Sequence, residues 1–513
     1  MWTGEPGRAL YHNRPDGGSA LTRSHAQAVL AVLGPVLLAL AVAGVARRRA
    51  LPAVAWPDEV IYLVGARNVV ERGTLDTNFY LTYSLLRRGY PHRDVHMPGY
   101  VLALAPAVAA LGPTLGAAAL LNTILFAAQA ALVYAIARAL LAERIQAVTA
   151  AALFAVLPPF PGYLFVAYPE LVVSFVFLAG LAVLVHARGM PGAVAAGVLY
   201  ALGALFRETL LLALPLYLVR LPPRARWRAF VPAAAATLFL VVIPLAGHRA
   251  VHPNGLYPSA LEEARRSEQP LAALAQAVLG NVGANLRATA RLDPETNAED
   301  AVLALIVVLA AAAALGARRL SPEARRLAAA TLLSLALLTA AVLSLYVVRE
   351  RGGVWGGVRA YMAWMPLLLV FATPLLFAPR RRALALGMAV AVAAAAVSLD
   401  LWQVRFFNRY KGSDHEDQAR NAAYLSRYLD SYHPQRIASR SFLYGYEHYP
   451  VEVIWSLPRD GRELAALNQA ISYEFLALHE KSALVPVLRD NPRFLRINKE
   501  DRGAEFLIWR RLY

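Results

Sequence analysis

The sequence predicts a mainly α, polytopic membrane protein with roughly 12 transmembrane segments, followed by a small C-terminal α/β soluble domain. Of its 513 residues, 58% are hydrophobic and 17% charged, with a mean hydropathy of +0.45, whereas a soluble chain carries about 25% charged residues. Apolar runs recur along the first 400 residues, parted by short arginine-bearing stretches. Beyond residue 400 the apolar runs shorten to strand length and alternate with helical patterns.

The formal net charge is +17, and because lysine occurs only at Lys411, Lys481 and Lys499, arginine supplies nearly all the positive charge. Arginine in cytoplasmic loops accounts for most of the excess under the positive-inside rule. The remainder suits guanidinium groups that hold anionic headgroups or phosphates, whose geometry they match. Basic residues scattered among apolar spans, with no single basic face, speak against nucleic-acid binding. The absence of cysteine excludes disulfides, thiolate catalysis and Cys-ligated metals.

Residues 1–25 form a polar leader carrying Arg8, Arg14 and Arg23, expected on the cytoplasmic side. The apolar run from Ala26 to Ala46 exceeds the roughly 7–15 residues of a signal-peptide core, and Arg47-Arg48-Arg49 follows directly, so it reads as an uncleaved first transmembrane helix. A first outer loop spans 47–97. Within it Val60, Leu63, Val64, Ala66, Val69 and Val70 recur at helical spacing, opposite Arg67, Glu71 and Arg72. That pattern predicts an amphipathic helix lying along the membrane interface and closed by Gly73.

Apolar segments follow near 98–112, 115–137, 145–157, 170–187, 191–206, 208–221 and 229–247, then, after a polar outer loop at 248–300, at 301–316, 327–347, 360–378 and 383–399. The membrane domain thus covers 26–400. Arginine clusters at 220–228, 318–326 and 380–382 are expected to face the cytoplasm. The loop 248–300, the Pro158–Glu170 turn and the domain 401–513 then face outward from a bacterial inner membrane. Three apolar segments separate Asp58 from Glu170, yet an outward position for both demands an even number of crossings. Either one segment is a half-helix or two form one bent span. After residue 400, strands are predicted around 436–439, 451–455, 471–476, 494–497 and 505–509, separated by helices near 417–431, 461–470 and 480–489.

The chemistry-bearing residues gather at helix mouths. Asp58 and Glu59 stand together in Trp56-Pro-Asp-Glu-Val-Ile-Tyr62 at the water boundary, where carboxylates are costly and tend to mark function. Neighbouring carboxylates can divide the roles of general base and of metal or acceptor holder, because like charges push their pKa values apart. Acids after Pro57 also suit the positive end of a helix dipole. Glu170, in Tyr168-Pro169-Glu170, heads the next long apolar run, either to align an acceptor or bind a cation, or as an acid following a proline at a helix start. Arg207 and Glu208 interrupt the stretch 191–221, as an ion pair at a site or as a loop between short helices. His92, Arg93, His96 and Arg207 are the favoured phosphate-binding cations, with Arg249, His252 and Arg359 as lesser candidates. His92, Asp94 and His96 at i, i+2, i+4 would share one face of a strand and, with Asp58, a divalent metal, although no fourth ligand is evident. Histidines that contact lipid at the interface are the ordinary alternative.

In order and spacing, these motifs resemble the GT-C-type, polyprenyl-phosphate-dependent glycosyltransferases of the protein O-mannosyltransferase and lipid A aminoarabinose transferase superfamily. The likeness rests on Pro57-Asp-Glu-x-x-Tyr-x-x-x-Ala66 through Gly73, His96-Met-Pro-Gly-Tyr100, Tyr168-Pro-Glu170, Arg207 and a terminal soluble domain. It extends through about residue 250, and by topology alone thereafter. The resemblance implies an inverting transfer of a sugar from a polyprenyl-phosphate donor to an acceptor hydroxyl at the outer membrane face. It makes Asp58 the first-loop catalytic acid, with Glu59 beside it, Glu170 the second-loop acid and Arg207 a cation near the lipid phosphate. Tyr62 and Tyr168, from the same motifs, join the substrate-binding set. The second acid is Glu where many members have Asp, and no lysine precedes Pro98. A transporter or flippase of lipid-linked sugars would show paired half-sequences with interrupted helices, and no such repeat is present. A non-catalytic scaffold of the same shape would have no need of three acids at helix mouths.

Overall fold

The computed structural model describes residues 17–49, 57–77, 79–81, 92–93, 98–186, 189–220, 227–245, 267–290, 297–345, 359–377, 387–398, 426–439, 451–455, 460–498 and 506–512. Helices dominate up to residue 398. They are α1 (Gly17–Arg49), α2 (Pro57–Arg72), α3 (Pro98–Leu111), α4 (Leu115–Leu140), α5 (Arg144–Ala155), α6 (Glu170–His186), α7 (Met190–Phe206), α8 (Leu214–Arg220), α9 (Trp227–Thr237), α10 (Pro270–Ala290), α11 (Asn297–Ala317), α12 (Pro322–Leu345), α13 (Met365–Leu376) and α14 (Gly387–Ser398). A 3-10 turn at Phe160–Phe165 leads into α6, and another at Glu208–Ala213 links α7 to α8.

Among the described residues, four helices are long and apolar enough to cross a membrane: Val29–Arg49, Leu115–Leu140, Trp227–Leu245 and Pro322–Ser344. Shorter apolar helices accompany them. Large apolar side chains such as Leu30, Leu37, Leu240 and Val307 lie on their outer faces, which costs little where the surroundings are hydrocarbon. Small residues let backbones approach closely, as membrane helices require. A Cβ at Gly197 would stand 2.6 Å from the Phe230 carbonyl oxygen, and one at Gly316 would collide with the Phe371 carbonyl.

Part of the parity problem has a geometric answer. Asn122, two turns into α4, donates its side-chain amide to the carbonyls of Tyr163 and Val166 at 3.2 and 2.9 Å. Two turns further on, Gln129 Nε2 donates to the Leu171 carbonyl at 3.0 Å. Helices α4 and α6 therefore run side by side in the same direction, and α5 with its 3-10 turn is the return. Helix α3, which precedes this path, has 14 residues, about 21 Å of helix, and it packs along α2. The stretch 248–300, expected to be a polar loop, contains the 21-residue α10 and the start of α11. Its apolar residues are diluted by Gly, Asn and Gln, which lowers the run below a span-like signal.

The chain then forms strands β3 (Arg436–Ser439), β4 (Glu452–Trp455), β5 (Phe475–His479), β6 (Phe494–Arg496) and β7 (Phe506–Arg511), with α15 (Gly461–Ala470) and α16 (Leu484–Arg489) between them. Two further strands come from the first loop, β1 (Phe79–Leu81) and β2 (His92–Arg93). All seven make one mixed sheet in the order β2-β1-β4-β3-β5-β7-β6. The first loop enters it by parallel pairing of β1 with β4, Phe79 opposite Val453 and Leu81 opposite Trp455. One sheet face, including Ile454, Leu476 and Trp509, packs on α15 and α16 through Leu464, Leu467, Leu484 and Leu488. The other face, with Ile437, Val453, Phe475 and Ile508, packs on Val60, Ile61 and Val64 of α2.

The apolar side of helix α2 is consequently covered by the sheet and not left open. Its opposite side, Tyr62, Leu63 and Ala66, belongs to a second cluster with Tyr100, Val101 and Leu104 of α3. Even Arg67, read as solvent-facing, is only 5% exposed and lies 3.8 Å from Glu71. The helical spacing was correct, but a second apolar partner covers the side expected to face water.

Replacing Gly316 by Val forces a side chain into the Phe371 backbone and is expected to destabilise by about 1–3 kcal/mol. The expected readout is a lowered denaturation midpoint in detergent. Gly280→Ala, where a Cβ meets nothing within 4 Å, serves as the unchanged control. Equal midpoints for the two variants would contradict the packing described.

Candidate active site

Four segments bring their charged ends to one place. Helix α2 begins with Pro57 at its first position, and Asp58 and Glu59 fill its first turn, where exposed backbone N–H groups favour negative charge. The two acids point differently because successive helical residues are about 100° apart. The Glu59 side chain is buried, and its Oε1 accepts the Ala167 backbone N–H at 3.2 Å. Asp58 keeps 28% of its side chain exposed and faces Arg359, whose Nη1 lies 4.0 Å from Asp58 Oδ2.

The second segment is the turn before α6. Pro169 ends the extended chain and Glu170 opens the helix, fully buried. Its Oε1 accepts from Arg207 Nη2 at 3.0 Å and lies 3.7 Å from Arg359 Nε. Arg207 reaches it because α7 stops there. The Arg207 backbone turns extended (φ −159°, ψ 121°) while its N–H still bonds the Gly203 carbonyl at 3.0 Å. That break is held from the other side by the start of α3. A Cβ at Gly99 would stand 2.7 Å from the Leu205 carbonyl oxygen, so Gly99 seats the start of α3 against the end of α7. The fourth segment is the helical turn before α13, which carries Arg359 with its guanidinium 4.6 Å over the ring centre of Tyr168.

The result is an alternating series of charges, Arg207, Glu170, Arg359 and Asp58, with Glu170 fully buried between two partly exposed arginines and Asp58 the most exposed member. Burial would lower the Arg359 pKa, but Glu170, Tyr168 and Asp58 hold it above the ordinary value, so Arg359 stays charged. Burial, and then the Asp58 charge, push the Tyr168 hydroxyl well above its ordinary pKa, so it remains a neutral phenol.

Of the residues expected from the sequence, Asp58, Glu170, Arg207 and Tyr168 converge here. Glu59 joins as an anchor, bonded to the chain beside Tyr168. Tyr62 is 5% exposed and packs edge to face on Tyr100, with ring centres 4.9 Å apart, as part of the core between α2 and α3. His92 and Arg93 form β2 at the sheet edge, paired with Leu81 and Tyr80. Their side chains, and residues Asp94, His96, Arg249 and His252, lie outside the described residues. Arg359, ranked low as an outer-loop cation, is central. Its signal was the same as that of Glu170: a charged residue immediately before an apolar helix. No group of three or more His, Asp or Glu suited to a metal occurs among the described residues. The Arg359 guanidinium lies between Asp58 and Glu170, the place a divalent ion bridging these acids would take.

No protein-family model matches the chain, and no curated protein matches it. Solved structures do. ArnT from Cupriavidus metallidurans bound to undecaprenyl phosphate superposes with a TM-score of 0.58 at 13% identity, over 93% of this chain and 97% of that one. The apo oligosaccharyltransferase of Archaeoglobus fulgidus superposes with a TM-score of 0.50 at 13% identity, over 87% of this chain and 69% of that one. At such identity the likeness is one of fold, and that fold is the one shared by GT-C glycosyltransferases.

Proposed function

We propose that this protein is a membrane glycosyltransferase that moves a sugar from a polyprenyl-phosphate donor to an acceptor hydroxyl with inversion. The observation that carries this reading is the Arg207–Glu170–Arg359–Asp58 series at the mouths of apolar helices, in a chain with the GT-C fold. The ArnT structure it resembles holds undecaprenyl phosphate, and two guanidinium groups beside apolar helices suit the same headgroup chemistry.

In this mechanism Asp58, the most exposed member of the series, takes the proton from the acceptor hydroxyl. The acceptor oxygen attacks the anomeric carbon from the side opposite the phosphate. The carbon–oxygen bond to phosphate breaks, and both of its electrons leave with the lipid phosphate. Arg359 and Arg207 stabilise the charge that develops on that leaving group. Glu170 holds both guanidinium groups in register, and Glu59 fixes the first turn of α2 against the Tyr168 turn. The domain 401–513 shares a sheet with the first loop, and we assign both to the outer face of the membrane along with the site.

Asp58→Asn is expected to lower transfer by about 10²–10⁴-fold with unchanged detergent stability, measured with purified protein and a labelled polyprenyl-phosphate sugar. Glu59→Gln should instead show its loss in the denaturation midpoint, since it removes the charge from a buried hydrogen bond. Full transfer by Asp58→Asn would end the assignment. Arg359→Lys keeps the charge and loses the planar fork. It is expected to raise the donor KM about tenfold or more, the equivalent of one charge-assisted hydrogen bond, with a smaller change in Tm than Arg207→Gln. Arg207→Gln strips Glu170 of its direct partner and is expected to cost about 3–5 kcal/mol of stability. An Arg359→Lys enzyme with wild-type donor KM would remove Arg359 from the phosphate site.

A further inference from the structure

A second set of polar groups lies beneath Glu170, deeper between the helices. Glu170, Ser174 and Phe177 are spaced i, i+4 and i+7 and form one stripe of α6. The stripe faces the segment 359–365. Glu170 meets Arg359 at its upper end, and Phe177 meets the Trp364 ring at 5.3 Å between centroids at its lower end. Ser174 stands between these two contacts. To one side, Gln129 of α4 donates Nε2 to the Leu171 carbonyl at 3.0 Å, and that carbonyl opens towards the next turn, where Ser174 sits.

Along this seam Glu170 Oε2, Arg359 Nε, Ser174 Oγ, Gln129 Oε1 and Trp364 Nε1 are all buried without a hydrogen-bond partner. Ser174, Gln129 and Trp364 have no exposed surface at all. Among the described residues Ser174 shares its unpaired state with two other helical hydroxyls, Ser334 and Thr209, which lie in other helical segments. Thr331, Thr339, Thr373 and Ser398 each return a hydrogen bond of 2.8–2.9 Å to the carbonyl four residues back, the common resort of a buried hydroxyl. Ser174 Oγ makes no such bond. The unpaired groups are chemically complementary: two N–H donors, a hydroxyl that both donates and accepts, and two oxygen acceptors. The 3.7 Å between Arg359 Nε and Glu170 Oε1 is too long for a direct hydrogen bond and suits a bridged one.

We propose that this seam is a binding site for a short file of ordered water, running from Glu170 Oε2 past Ser174 and Gln129 to Trp364 Nε1. Buried water of this kind joins two to four polar groups that protein atoms leave unpaired. The file gives the free oxygen of Glu170 its hydrogen bonds while the other oxygen stays on Arg207. Ser174 is then a positioning residue, tying the carboxylate to the body of α6 and to the turn before α13. The site does not depend on which reaction the protein performs.

Hydroxyl-radical footprinting of the full chain in lipid nanodiscs tests this directly, because radicals generated from bound water oxidise the side chains beside it. Phe177 and Trp364 should be modified well above Phe154 and Phe230, which are equally buried but pack against other aromatic rings, Phe160 and Tyr217. Equal and low modification of all four would overturn the proposal. High-resolution cryo-EM of the same sample should show discrete density within hydrogen-bond reach of at least two of the five atoms. Ser174→Ala should lose the density nearest its side chain and keep the Arg207–Glu170 pair. Direct bonds among Ser174, Gln129 and Trp364 would overturn the site. So would density with oxygen contacts of about 2.0–2.5 Å, which would make it a cation site.

Discussion

A carboxylate removed from water stays ionised only where cations and hydrogen bonds replace its hydration. Glu170 is a buried carboxylate set between two guanidinium groups, and much of the architecture around it follows from that arrangement. Helix α7 breaks so that Arg207 can reach it at 3.0 Å. The chain before α13 turns so that Arg359 approaches from the other side. Glycine at position 99 lets α3 press against the break and hold it in place. Remove the buried acid and these three departures from regular packing lose their common cause.

The same logic divides two adjacent acids. Glu59 spends its charge on a backbone N–H and so joins α2 to the turn that carries Tyr168 and Glu170. Asp58, one residue earlier, is left at the open end of the charge series. Because α2 is gripped on one side by the sheet and on the other by α3, its first turn has little freedom to move. The position of Asp58 is thus set by two hydrophobic clusters and one buried hydrogen bond, with the long-range attraction to Arg359 adding direction. A reacting group held this way loses little further entropy when a substrate arrives.

Much of this was readable in the sequence, for physical reasons. Apolar runs and mouth-of-helix charges are local patterns, so the helices and the candidates Asp58, Glu170 and Arg207 could be found without knowing their neighbours. Strands β3 to β7 are likewise short alternating runs, and their predicted places overlap those observed. What could not be read is pairing. Phe79–Leu81 and His92–Arg93 are too short to register as strands and become so only against β4. Helix α2 shows one apolar side to any periodicity analysis, yet folding covers Arg67 as well. Nothing local separates Asp58 from Glu59, since that distinction depends on partners distant in the chain. The parallel course of α4 and α6 depended on two side-chain amides, Asn122 and Gln129, whose acceptors lie in the turn before α6 and in its first turn.

The placing of β1 bears on how the molecule comes into being. That strand sits inside the sheet between β2, its near neighbour along the chain, and β4, which is translated only after every helix of the bundle. Closing so distant a contact is slow and costs chain entropy. The segment after Asp58 therefore waits, half-clothed, until the ribosome has made β4. A nascent chain released early would hold its helices in the bilayer and still lack the surface against which α2 rests. Maturation of this protein accordingly waits on strands made after the helices they cover.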